Sequence, residues 1–433
     1  MRATGAPHTG AVSDIVKYLP DAAIPAGGAR RWKADEAERW FDARVPALFA
    51  PFAGALVLAP LVVSAVVLLA WNDPGTTGRG TDWIGYPAAV LLIALPFWYR
   101  FLPVATLVSA PLIAGETVAL LTGPAPGGTA ARAGGVVVLT LSSWAFTGAL
   151  LRVRARRRQR SLFLAEAAGT RRRPVPGRLA DAHVKRGRSL IVAGAVFCLA
   201  GAAALLAWGL ALDLRAEPGA PYDAIGQQII ALLLLVPGTT LLGRGLALRR
   251  AARQLHRGPQ PVVRIGVRRD AAYFNWLHTD ARTTGARPLI AYRTSFEDTL
   301  RYHGPTLVGG SEEQLRVRHH DIDPHREPFE ALLYGVPCEG AEVLVEFAVF
   351  APDGRSITTE ITAAPLLARR RSGLKPWSPA GSSYRVRRRE EAEAAAARRA
   401  AQRARSGGGD GGGGCGGADS GCGSSCGGGC GGD

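Results

Sequence analysis

Over the first 250 residues, long uncharged apolar stretches alternate with arginine-rich ones, and beyond them short runs of period two take over. From 45 to 72 there is no charged residue, and about 20 apolar residues suffice to cross the hydrocarbon core of a bilayer. The runs 133–151, 189–212 and 224–243 meet the same requirement. Four such runs in 433 residues are too many to be buried helices of one soluble core. Segment 83–121 is apolar apart from Arg100 and Glu116. As one helix it would reach roughly 60 Å, about twice the hydrocarbon thickness, so it is expected to fold back. The turn is placed at Arg100, where Phe97, Trp98, Tyr99 and Phe101 favour the interface and Pro103 ends the local helix. A re-entrant hairpin stays open as the alternative, because Pro87 and Pro96 fall in the short first half.

Charge placement sets the expected orientation, since short loops rich in Lys and Arg stay cytoplasmic. Between 152 and 188 there are 13 basic and two acidic residues, and Arg30, Arg31, Lys33, Arg39 and Arg44 precede the first run. Six spans, at about 47–71, 83–99, 101–121, 133–151, 189–212 and 224–248, put all of these inside. Loops 72–82, 122–132 and 213–223, with one arginine each, then fall outside. Residues 1–44 form a cytoplasmic leader without the apolar segment of a cleavable signal. Within it, Trp32, Trp40, Phe41 and Val45 share a face opposite Asp35, Glu36 and Glu38, which suits a helix lying on the inner membrane surface. An irregular polar leader with interfacial tryptophans fits that composition equally.

After residue 258 the pattern predicts a cytoplasmic domain, 259–368, of α+β or mostly β class. Strands are expected at 262–267, 289–294, 343–350 and 356–362, the last two joined by the turn Pro352-Asp353-Gly354. The stretches 296–302 and 328–334 read as weaker helical or turn segments. A basic linker and a charged, alanine-rich helix fill 369–405, and the Gly/Cys tail 406–433 has no residues with which to bury a core. The fold class expected is therefore a membrane α-helical bundle, a small soluble domain, a solvated helix and a disordered tail.

The net charge of +17 raises the question of nucleic acid, but its location answers it. The surplus flanks the spans and fills 369–405, whereas 259–368 has 11 arginines against 15 carboxylates. Nucleic-acid binding by that domain is disfavoured, and the lipid bilayer is the first partner implied. Only four of the 52 basic residues are lysine, a usage typical of GC-rich bacterial genomes, so the membrane is read as the bacterial inner membrane.

Three places hold candidate chemistry. Cys415, Cys422, Cys426 and Cys430 supply four sulfurs, a full tetrahedral set for zinc or copper, but at C-x6-C-x3-C-x3-C spacing without paired knuckles. His319, His320 and His325, with Asp321, Asp323 and Glu327, form a polar segment with metal-ligand types, interrupted by Pro324. Glu116 lies inside an expected span, where a carboxylate marks a solute or proton path by default. The tail resembles the Gly/Cys-rich ends of multi-pass membrane proteins of GC-rich bacteria, a likeness that covers under a tenth of the chain and implies no activity. No G-x-x-x-x-G-K-[ST], H-E-x-x-H or C-x-x-C occurs, and no cofactor is implied unless the tail takes a metal. The expectation is a non-enzymatic, membrane-anchored binding or regulatory module with a cytoplasmic protein partner for 259–368. The alternatives are a small-solute transporter or channel, and a metal-handling membrane protein. The sequence sets no oligomeric state.

Overall fold

The structure, a computed structural model, describes residues 19, 23–26, 28–70, 81, 83–123, 128–176, 185–217, 222–269, 274–281, 288–293, 329–350, 357–367 and 384–406. Five of its helices are long and apolar enough to cross a membrane, and a small sheet domain follows them. The long helices are α2 (Pro51–Ala70), α4 (Pro103–Thr122), α5 (Thr129–Glu166), α6 (Arg188–Asp213) and α7 (Ile225–His256). A shorter apolar helix, α3 (Tyr86–Phe101), precedes α4. Two more helices, α1 (Ala34–Asp42) and α8 (Tyr384–Ser406), are polar or amphipathic.

Helices α2 to α5 share one apolar core, in which Leu58, Leu95, Tyr99, Leu141 and Ala145 are fully buried. Their outer faces carry exposed Phe52, Val63, Val104 and Leu120, an apolar surface suited to lipid and unsuited to water. Segment 83–121 does fold back: α3 ends at Phe101, Leu102 leaves helical geometry, and Pro103 opens α4. Helices α6 and α7 pack through small residues instead of a large core. A Cβ on Gly194 would come within 2.5 Å of the Leu242 backbone nitrogen, and one on Gly245 within 2.8 Å of the Gly187 carbonyl oxygen. Such close backbone approach is how helices associate where no hydrophobic drive separates lipid from protein. Midway along α6, Val196–Ala203 is π-helical.

The sheet domain is a closed antiparallel barrel. Its strands are β2 (Val262–Arg269), β3 (Phe274–His278), β4 (Ile290–Arg293), β5 (Phe329–Tyr334), β6 (Glu342–Phe350) and β7 (Ile357–Leu367). Around the ring the order is β2-β3-β4-β7-β6-β5, and β5 pairs back onto β2. Gly266 is required where β2 passes the Asp280 backbone, which a Cβ would strike. A short strand, β1 (Arg30–Arg31), adds in parallel to the first half of β2.

Two sequence expectations change here. Of segment 328–334, read as a helix or turn, Phe329–Tyr334 is the strand β5. Its run Phe-Glu-Ala-Leu-Leu-Tyr lacks alternation because it is buried on both faces: Phe329, Ala331 and Leu333 join the inner cluster, while Leu332 and Tyr334 lie under Leu19 and Leu255. Helix α1 does not turn its apolar side to lipid. Ala37, Trp40 and Phe41 enter the barrel cluster with Trp32 and with Phe163 from the far end of α5. Trp32 meets Trp40 and Phe163 edge-on at 5.4 and 5.3 Å, and Trp40 Nε1 donates to the Pro337 carbonyl at 2.9 Å. The barrel core therefore draws on residues well before 259. Segment 296–302 lies outside the described residues.

The glycine contacts between α6 and α7 yield a test. Gly194→Leu should lower stability in detergent by about 2 kcal/mol through overpacking against backbone. Gly226→Leu, at a position with open space around it, should leave the thermal midpoint where it was. Equal effects of the two substitutions would contradict the packing described.

Candidate functional site: the junction of helices and barrel

Helix α5 is too long for a bilayer. Its 38 residues extend about 57 Å at 1.5 Å each, so the stretch after Leu151 stands clear of the apolar zone. Arg152 is the first charge on that stretch and is nonetheless 1% exposed. The reason lies in α3. In a continuous helix the Tyr99 carbonyl would accept from residue 103, which is proline and has no N–H. Arg152 supplies the missing donors: Nη1 bonds the Tyr99 carbonyl, and Nη2 donates to the Arg100 carbonyl at 3.3 Å. A cation at the carbonyl end of a helix also suits its dipole.

The same Nη2 donates to Glu339 Oε1 at 2.7 Å, and Arg156, one turn further along α5, reaches that oxygen at 2.6 Å. Glu339 comes from the β5–β6 turn, which Gly340 closes at φ 79°, a conformation that favours glycine. The turn is fixed to the sheet by Gly340 N–H donating to Leu366 O at 2.9 Å. Burial alone would push the Glu339 carboxyl up, but the guanidiniums of Arg156 and Arg152 outweigh it and hold the group below its ordinary range. One carboxylate thus joins the end of α3, the extension of α5 and the barrel.

Beside this clamp lies a cavity of about 60 Å³, lined among others by Trp40, Arg44, Arg156, Gln159 and Ile290. That suits ordered water, whereas drug-sized ligands occupy about 300–1,000 Å³. A second tie runs from the turn before α6. Arg186 Nε lies 2.8 Å from Glu342 Oε1 on β6, and its Nη2 donates to the Ala363 carbonyl. Burial pushes the Glu342 carboxyl up to about 7, against the pull of Arg186.

Of the residues singled out from sequence, Glu116 is half-buried on α4 and makes no hydrogen bond or ion pair among the described residues. Two buried threonines of the bundle return to their own helices: Thr117 donates to Ile113 O at 2.7 Å and Thr240 to Val236 O at 2.7 Å. His319, His320, His325 and Cys415, Cys422, Cys426, Cys430 lie outside the described residues. Among the described residues there is no group of three or more His, Cys, Asp or Glu side chains placed to hold a metal. Arg152, Arg156, Arg186, Glu339 and Glu342 were not singled out by sequence, where the arginines count only as inside charges. The signal that could have found them is an i, i+4 arginine pair directly after a span, together with a proline that orphans a carbonyl.

No family model, curated protein or solved structure matches this chain.

The Glu342 pKa predicts a pH effect. A carboxyl near 4.5 in the unfolded chain and about 7 in the fold binds more protons folded than unfolded across that interval. Its contribution is fully present below pH 4.5 and lost as pH rises through about 7. Glu342→Gln should flatten the decline in stability between pH 5 and 8 by roughly 2–3 kcal/mol. Parallel stability curves for both proteins would refute the assignment.

Proposed function

We propose that this chain is an integral protein of the bacterial inner membrane that crosses six times, with both termini cytoplasmic. Its barrel acts as a non-enzymatic binding or regulatory module for a cytoplasmic protein partner. The observation that carries this reading is the continuity of α5, whose apolar half packs among α2, α3 and α4 and whose basic half ends with Phe163 in the barrel core. A flexible tether would suffice for anchoring alone. A rigid helix, clamped twice, suits a module whose position relative to the membrane matters.

Counting α3 as a crossing is supported by contacts at the two ends of the bundle. Trp83, just before α3, donates to Asp213 at the end of α6 at 2.9 Å, and Tyr86 donates to the Gln228 carbonyl at the start of α7 at 2.9 Å. At the opposite end of α3, Tyr99 donates to the Phe49 carbonyl at 2.8 Å and its own carbonyl meets Arg152. Helix ends thus alternate as six crossings require. A small-solute transporter is the second reading, favoured by the π-helical stretch of α6 packed against α7, which carries Pro237.

Labelling tests the topology. In a background with native cysteines replaced by serine, cysteines introduced within 72–82, 122–132 and 213–223 should react with an impermeant maleimide in intact cells. Arg158→Cys on α5 should react only after permeabilisation. A protected 122–132 loop would overturn the six-crossing arrangement.

A further inference from the structure

Two arginines whose side chains take no part in the junction point to a ligand. Arg100 ends α3 and Arg244 lies on α7, 144 positions later, yet both guanidiniums stack on the ring of Phe101, at 5.0 and 5.1 Å from its centroid. Arg100 lies also 5.1 Å from the ring of Phe52, in the first turn of α2. The result is a ladder of Phe52, Arg100, Phe101 and Arg244 across three helices. The end of α3 and this part of α7 are brought together by close packing, since a Cβ on Gly243 would strike Leu102. Both arginines are exposed, and among the described residues neither has a carboxylate within ion-pair distance. Contact with one ring gathers two like charges that repel, and no carboxylate among the described residues offsets them.

We propose that this ladder binds the phosphate headgroup of an anionic phospholipid of the inner leaflet. The inference rests on the reading that this end of the bundle faces the cytoplasm. The guanidinium fork matches phosphate oxygens, and cation–π contact with the rings gathers both forks at one place. Phe52, 58% exposed, and Val104, 65% exposed, continue the site into the apolar surface where acyl chains lie. Basic pockets between helices at the cytoplasmic side are suited to anionic headgroups. The site also sits against the junction, because the backbone carbonyl of Arg100 is one of those held by Arg152.

The test uses the full chain in neutral detergent, titrated with dioleoyl phosphatidylglycerol or dioleoyl phosphatidylcholine and read by native mass spectrometry. The wild-type chain should bind the anionic lipid at least tenfold more tightly than the zwitterionic one. Arg100→Gln with Arg244→Gln should remove roughly tenfold or more of that preference, while Arg249→Gln with Arg250→Gln, equal in charge and also exposed, should keep it. Equal losses in the two pairs would overturn the site in favour of diffuse charge. Displacement of the lipid by inorganic phosphate at low millimolar concentration would overturn the lipid assignment in favour of a free anion. Both pairs should retain the wild-type thermal midpoint without lipid, and a large drop confined to the first pair would make the ladder a packing device. Carbonate extraction separates the two readings: a chain released from membranes would sink the membrane reading itself, whereas one that stays embedded without lipid preference would sink only the site.

Discussion

A guanidinium buried where an apolar helix bundle meets a barrel has few ways to exist. Desolvating an isolated charge costs several kcal/mol even after relaxation, and Arg152 is 1% exposed. It is tolerated because three acceptors converge on it: two carbonyls at the end of α3 and the Glu339 carboxylate. Each exists for its own reason. Pro103 leaves the Tyr99 carbonyl without its helical donor, and the positive φ of Gly340 turns Glu339 toward α5. Removing one partner of such a pair typically costs about 3–5 kcal/mol, because the other charge stays buried. The position of the barrel follows from satisfying this one side chain.

Other features serve the same geometry. Helix α5 carries Arg152 and Arg156 on one face and Phe163 two turns later, so the electrostatic clamp and the apolar anchor are set by one rigid element. Helix α1 returns to the same barrel cluster, where Trp40 bonds the Pro337 carbonyl two residues before Glu339. Arg186 and Glu342 tie the barrel to the turn before α6, but this tie differs in kind. Burial prevails over the arginine at Glu342, whereas two arginines prevail over burial at Glu339. One tie is therefore sensitive near neutral pH and the other is not.

Much of the helical part was legible in the sequence because a bilayer imposes a length and excludes charge, and both can be read residue by residue. The break at Leu102-Pro103 was legible for the same reason. The barrel was less so. Strands β6 and β7 alternate enough to be recognised, but β3 and β5 are buried along their whole length, and such runs do not announce their period. The apolar face of α1 was visible while its destination was not: Trp32, Trp40 and Phe41 suit a membrane surface as well as a barrel cluster, and only the tertiary contact decides. Arg152 was hidden most completely, since thirteen basic residues between 152 and 188 look alike until one of them is found beneath a carbonyl that proline has orphaned.

If the clamp governs the junction, it holds the barrel in one orientation on the helices. Spin labels on a cysteine-free background, at Arg293→Cys on β4 and Arg250→Cys on α7, would report it through the dipolar distance distribution in lipid nanodiscs. One narrow distance in the otherwise unchanged chain, broadening when Glu339→Gln is added, is the result the account predicts. A distribution already broad with Glu339 in place, and unaltered by its replacement, would contradict it.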